Sequence, residues 1–400
     1  MAAHTSSSKA PELPTARTNP FDPPEELARL REQEPISPLA YPEGHQGWLV
    51  TSYDLARRIL ADRRFSRRRE LQRVPLPFTV SMRPEPAEPG MFLGMDPPEH
   101  TRYRRLLTRH FSQRRVSELA PRVAQITTQV VDDVERHGPP VDLVPTFAFP
   151  IPSLVICELL GVPYADRAEF QGHTKVLMSL RSNTEQVMSA FVAVRRYLGD
   201  LVAAKRAHPA DDLLSALARD GSLTDEELTG IAQLLLVAGH ETTANMLGIG
   251  VYALLRHPDQ LAALRAAPEL IDDAVEELLR YLTIIHVGPT RAALEDVELD
   301  GTLVRAGDVV TLSLPVANRD PALLDDGDRL DVTRPSTSHL TFGHGIHQCL
   351  GQQLARLELR TGYAALLDRF PRLRLAVPPE QIRMRTDMVI YGVHNLPVTW

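Results

Sequence analysis

The chain has 400 residues, 44 basic against 51 acidic side chains, a net charge of -7 and 2 cysteines. That length supports a large buried core, and the negative balance offers no overall attraction for nucleic acid or an anionic membrane. Two cysteines in unlike contexts argue against a disulfide framework and exclude a tetrathiolate zinc site.

Residues 1–19 are polar, with scattered Pro, Ser and Thr, and are expected to form a poorly ordered N-terminal segment. They lack the apolar run of a signal peptide and the ~20 apolar residues of a membrane anchor, so a cytoplasmic protein without an anchor is expected. Trp48 to Thr51 reads as a short strand, with Ser52 as N-cap of a helix carrying Leu55, Ile59 and Leu60. From Leu71 to Met95, Pro75, Pro77, Pro84, Pro86 and Pro89 break regular structure and mark a functional loop. Helical patterns run from His100 to Arg280, interrupted at Pro139-Pro140, at Gly161-Val162-Pro163 and around Pro209. Within them, Thr224-x-x-Glu227 is a capping-box pattern that opens a helix running to about Arg256. Strand material follows at Val297 to Leu299 and Val309 to Leu312, with a turn signal at Asp300-Gly301. No linker divides the chain. The expectation is one domain over residues 1–400, mainly α with a small β-rich lobe.

Cys349 is the most telling residue. It follows the glycine-rich run Phe342-Gly343-His344-Gly345-Ile346-His347-Gln348 and precedes Leu350-Gly351 and an apolar helical pattern. Glycines let a flat prosthetic group approach the backbone, and free amides at a helix N-terminus favour an anionic sulfur. Cys157, in Leu154-Val155-Ile156-Cys157, reads as core filler. A thiol hydrolase, pairing Cys349 with a distant histidine, stays open at this point.

Three further patterns stand beside the cysteine. Ala238-Gly239-His240-Glu241-Thr242-Thr243 is an odd choice for a helix interior, since glycine costs ~1 kcal/mol against alanine and threonine competes for backbone carbonyls. Small residues there leave room for a diatomic molecule, and Glu241 with Thr242 could pass protons to it. Glu277 and Arg280 are three apart and share one helix face. His100, Arg104, Arg291 and His347 supply donors suited to two carboxylates.

In this order the segments resemble the cytochrome P450 family of haem-thiolate monooxygenases, in its soluble bacterial form, over nearly the whole chain. The signature Phe-x-x-Gly-x-x-x-Cys-x-Gly falls on Phe342, Gly345, Cys349 and Gly351. The resemblance implies a triangular-prism fold with a small β-rich lobe and a haem b (iron protoporphyrin IX) whose iron is held by Cys349. Phe342, Gly343, Gly351, Ala238 and Gly239 would border the haem, and His100, Arg104, Arg291 and His347 would meet its propionates. O2 would bind beside Ala238 to Thr242, with Glu241 and Thr242 as the acid-alcohol pair. Arg334 would complete a buried cluster with Glu277 and Arg280, with Arg329 as its rival.

Electrons from NAD(P)H would come through a ferredoxin reductase and a ferredoxin, since the chain has no flavin or iron-sulfur motif. Arg102, Arg105 and Arg109 are candidate docking residues, and the enzyme would be a monomer. The implied substrate pocket comprises the 71–93 loop, Leu234, Val237, Ile284, His286, Val287, Val389 and Ile390, with His286 and Tyr391 as orienting groups. Its apolar character suits a lipophilic secondary metabolite, such as a polyketide macrolide in antibiotic biosynthesis, hydroxylated or epoxidised. The alternative is a haem-thiolate sensor or gas-binding protein, which would need the cysteine loop but no acid-alcohol pair.

Overall fold

The computed structural model describes residues 10–76 and 85–400, so residues 77–84 of the proline-rich loop and residues 1–9 lie outside the described residues. A helix over Asp225–Arg256 is the axis of the molecule. Its start is fixed as the sequence implies: Thr224 Oγ1 accepts from the Glu227 amide at 3.2 Å, and Glu227 Oε2 accepts from the Thr224 amide at 2.9 Å. Proline at position 258 follows its last turn, where the chain cannot continue the same helix. At ~1.5 Å per residue this central helix is long enough to cross the molecule, and most of its side chains are buried.

Helices Pro150–Leu160 and Gln352–Arg369 pack directly on the central helix, and Gln113–His137 crosses both of them. Helices Arg167–Met178 and Thr184–Ala207 pair with each other, the second also lying on the central helix. The expected interruptions fall in place, since helices end at His137, Leu160 and Ala207. The β-rich part is a five-stranded sheet in the order Ile36–Ala40, Gln46–Val50, Val309–Leu312, Thr290–Ala293 and Phe65–Ser66. Only the Gln46–Val50 and Val309–Leu312 pair is parallel, with Trp48 opposite Val310. Asp300 and Gly301, both at positive φ, turn the hairpin Val297–Leu299 with Thr302–Val304. No described helix is long and apolar enough to cross a membrane.

The N-terminal expectation needs correction. Residues 10–19 pack along the sheet: the Ala40 amide donates to the Pro11 carbonyl at 2.8 Å, and Leu13 joins the core formed by Leu27, Leu39 and Tyr41. Arg17 lies 4.1 Å over the Tyr391 ring and donates to the Asp22 carbonyl at 2.7 Å. A segment polar in composition is thus held by one leucine and one stacked guanidinium, a pattern with no periodicity to betray it.

Helix Ile271–Leu282 carries the fold's main buried ion pair. Arg280 Nε donates to Glu277 Oε2 at 2.7 Å and Nη2 to Oε1 at 2.8 Å, with both side chains almost wholly out of solvent. The remaining Arg280 donors reach the carbonyls of Asn318 at 3.0 Å and Gly327 at 2.7 Å. Arg334, not Arg329, supplies the second guanidinium, with Nε 3.5 Å from Glu277 Oε1; Arg329 points outward to Asp326 and Asp331. Removing one partner of such a pair strands the other charge at a cost of about 3–5 kcal/mol. Glu277→Ala should therefore lower the denaturation midpoint steeply and purify with little bound cofactor; a variant unfolding at the parental midpoint would contradict a structural role.

Candidate active site

The cysteine loop is hung from the Arg280 cluster. Asn318, whose carbonyl accepts from Arg280, uses its side chain to accept from the Leu340 amide at 2.6 Å and to donate to Thr341 Oγ1 at 3.1 Å. Thr341 Oγ1 in turn donates to the Leu279 carbonyl at 2.9 Å. Beyond this anchor, Gly343 and Gly345 turn at φ 70° and 74°, in the left-handed region that side chains avoid. Gly345 also sits against the Leu60 backbone at the end of helix Tyr53–Ala61, where a Cβ would not fit. Arg356, paired with Glu276 at 2.6 and 2.8 Å, lies 4.5 Å over the Phe342 ring. The loop then closes with the Cys349 amide donating to the Phe342 carbonyl at 2.8 Å.

Cys349 retains accessible surface, yet protein surrounds it closely enough for desolvation to push its thiol pKa up. Both observations hold if the sulfur opens on an internal space rather than on bulk water. Backbone amides of Gly351 and Gln352 and the charges of Arg104 and Arg356 pull the other way and do not prevail. In the polypeptide alone burial outweighs the helix N-terminal amides at this sulfur; a metal bound there would add to their effect, since a coordinated thiol is deprotonated outright. Cys157 is 2% exposed among apolar neighbours, and burial pushes its thiol up to about 12, as fits a packing residue.

Beside the loop lies a set of hydrogen-bond donors, two of them guanidiniums, with almost nothing to bind. The His100 and His347 rings are 4.3 Å apart, and neither nitrogen of His100 nor Nε2 of His347 has a partner. Burial, followed by Arg291, His100, Arg67 and Arg104, pulls the His347 pKa down to about 2. Arg104 feels Cys349 directly. Among the described residues the Arg104 guanidinium makes no hydrogen bond, and Arg291, 3% exposed, donates only to the Thr290 carbonyl at 2.8 Å. Unused donors on side chains wholly or partly buried in this way call for an acidic ligand. A planar group with two carboxylates and a metal for Cys349 fits this donor set.

A second accessible patch interrupts the central helix. Ala238 is exposed, and Leu234, Val237 and Thr242 are half-buried, in a stretch whose other positions are mostly buried. Leu234, Ala238 and Thr242 recur every fourth residue and so form one stripe of accessible surface on a helix otherwise mostly buried. Thr242 Oγ1 donates back to the Ala238 carbonyl at 2.8 Å. Gly239 does not serve this stripe through its missing side chain: a Cβ there would meet Ile156 Cδ1 at 2.8 Å, so its smallness lets helix Pro150–Leu160 approach. Glu241 also departs from expectation. Its Oε2 accepts from Arg385 Nη2 at 3.2 Å and Asn245 Nδ2 at 3.3 Å, and the side chain is fully buried one helix face away from Thr242. Neighbouring His240 holds the Leu236 carbonyl at 2.8 Å and Thr174 Oγ1 at 3.1 Å. Arg385, 144 positions from Glu241, left no local signal in the sequence.

The expected pocket residues divide. Segments 284–287 and 388–391 run together, with Ile285 bridged to Ile390 and the Tyr391 amide donating to the Ile284 carbonyl at 2.8 Å. Val389 keeps accessible surface, whereas Ile284 and Ile390 belong to the large core and Val287 packs with Leu13 and Leu27. His286 and Tyr391, expected to orient substrate, are instead stacked on each other at 5.5 Å and 17°. Tyr391 Oη donates to the Pro20 carbonyl at 2.9 Å, and His286 borders a small cleft beneath Leu13 and Arg17. The N-terminal segment is what occupies that side.

The cytochrome P450 family matches over residues 162–391. Cytochrome P450 105C1 of Streptomyces sp is 50% identical over 387 residues, covering 96% of this chain and 97% of the relative. The crystal structure of CYP105P1 in complex with filipin I shares the fold with a TM-score of 0.91 and 44% identity, covering 98% of this chain and 99% of that one. The LnmA cytochrome P450 hydroxylase from the leinamycin biosynthetic pathway of Streptomyces atroolivaceus gives 0.87 and 46%, covering 96% and 98%. The chain belongs to the cytochrome P450 family, a mainly α fold with small sheets, and is a monooxygenase that uses haem iron and O2 with electrons supplied from outside.

Cys349→Ala should abolish the long-wavelength Soret band of the reduced carbon monoxide complex, and Cys157→Ala should keep it; the reverse result in difference spectra would reassign the ligand. His286 gives a pH prediction. Burial holds its pKa at about 4 in the folded chain against 6.5 ordinarily. Below pH 6.5 the unfolded chain binds the proton more readily, so stability is whole above 6.5 and falls as pH drops toward 4, by up to ~1.4 kcal/mol per unit for this group. His286→Phe, which keeps the stack, should flatten that part of the slope in urea titrations at pH 7.5, 6 and 5.

Proposed function

We propose that the protein oxidises a lipophilic secondary metabolite, of the polyketide macrolide type, by hydroxylation or epoxidation in the cytoplasm. The cofactor is haem b, and the observation that carries the site is the coincidence of an internally accessible Cys349 with unused donors on His100, Arg104, Arg291 and His347. Bound there, haem supplies a metal that activates O2 once electrons arrive, with the thiolate favouring O–O cleavage. Cys349 would hold the iron, Phe342, Gly343 and Gly351 would border the cofactor, and small Ala238 would leave room beside it. The apolar surface of Leu234, Val237 and Val389 positions the substrate and excludes water. The LnmA relative, a hydroxylase of a biosynthetic pathway, and the relative with filipin I bound support the substrate class.

Thr242 presents a hydroxyl on the accessible face of the central helix, and it could exchange its bond to the Ala238 carbonyl for one to a water or ligand atom held there. Glu241 acts from behind the helix: it must exchange its contact with Arg385 before its carboxylate can take part in proton supply. Thr242→Val, nearly isosteric, should fold and consume NAD(P)H through its redox partners while releasing most electrons as hydrogen peroxide. Product formed per NAD(P)H is the measurement, and a parental ratio would remove Thr242 from the mechanism.

Electrons come from NAD(P)H by way of a ferredoxin reductase and an acidic ferredoxin that docks on a monomer. Of the three arginines first considered, Arg102 is engaged with Glu227 and Arg109 with Asp220, which leaves Arg105. Arg57, which after burial is the second cause lowering the His344 pKa, and exposed Ile346 add a basic and an apolar point beside the cysteine loop. Arg57→Glu with Arg105→Glu should slow reduction by ferredoxin and flatten its salt dependence, leaving substrate affinity alone. Unchanged stopped-flow reduction rates across a salt series would move the docking face elsewhere.

A further inference from the structure

A short strand pair ends just before Arg67 and brings that residue close enough to Arg291 for their charges to interact. Phe65 stands opposite Ala293 and Ser66 opposite Ala292, antiparallel. Like charges facing one another repel, and here Arg291 is buried and Arg67 half-buried. Burial pulls the Arg291 pKa down to about 9, with Arg67 the next cause, and burial pulls Arg67 down as well.

The one acid at hand does not resolve the repulsion. Asp96 is committed to the backbone: its Oδ1 accepts from the Arg67 amide at 2.8 Å and its Oδ2 from Ser66 Oγ at 2.6 Å. It forms no ion pair with either guanidinium among the described residues. Arg67 makes no side-chain hydrogen bond to any of them, and Arg291 spends one donor on a carbonyl. A buried and a half-buried guanidinium with most of their donors free form half of a binding site, whose other half is a carboxylate able to bond both.

We propose that Arg67 is a further cofactor-binding residue, which with Arg291 clamps one carboxylate of the haem, so that the cofactor's charge cancels a repulsion the polypeptide cannot cancel alone. This rests on the reading of Arg291 as a propionate contact. The chain's own folding and its affinity for the porphyrin are then opposed at this pair: each arginine disfavours the apoprotein and favours the holoprotein.

Two measurements on the full chain test the clamp: the thermal midpoint of the apoprotein, and the rate of haem release to excess apomyoglobin. Arg67→Met should raise the apoprotein midpoint and speed haem release about tenfold or more, the loss of one charge-assisted hydrogen bond. Reconstitution with haem dimethyl ester, which has no carboxylates, should bring the variant and parent release rates together. A lowered apoprotein midpoint, an unchanged release rate, or an acceleration that persists with the diester would overturn the proposal and leave Arg67 a partner of Asp96 alone. Arg291→Met separates the two readings: if it leaves release unchanged while Arg67→Met speeds it, the assignment of Arg291 fails and the clamp with it.

Discussion

The bidentate bond between Glu277 and Arg280 is the contact on which the active site hangs. Its strength comes from low dielectric and full satisfaction of donors, since Arg280 reaches two carboxylate oxygens and the carbonyls of Asn318 and Gly327. Asn318 then passes that rigidity to Leu340 and Thr341, where the cysteine loop begins. A charge pair remote from any substrate thereby fixes the position of a sulfur.

Charge is distributed to opposite ends inside this protein. Around Glu277 every charge is answered by polypeptide. Around Arg291 it is not, and with the unused donors of His100 and His347 the deficit is shaped for an acidic, planar ligand. Both arrangements are buried, so neither is a surface effect that salt would erase. The difference separates a part of the fold that is complete in itself from a part that is complete only with cofactor.

Much of the architecture could be read from local chemistry. The capping box at Thr224, the Ser52 cap and the Asp300-Gly301 turn act over a few residues, and each lies where its side chain implies. Cys349 was legible because glycines at positive φ leave a pattern in the sequence. What escaped depends on partners far away. Nothing near Glu241 announces Arg385, nothing near Arg67 announces Arg291, and the bulk that makes Gly239 necessary belongs to Ile156. Polar composition at residues 10–19 concealed an ordered segment, because two well-placed side chains suffice where a whole face is not required.

The bond from Tyr391 Oη to the Pro20 carbonyl joins positions 371 residues apart, and the sheet likewise interleaves early strands with Val309–Leu312. Contacts of such separation pay their loop-closure entropy before they return any stability. During synthesis, Leu13 can already pack on Leu27, Leu39 and Tyr41, but the contacts of Arg17 and Pro20 with Tyr391 cannot form until residue 391 has left the ribosome. The wall that His286 and Tyr391 help to build is therefore among the last parts of the molecule to acquire its shape.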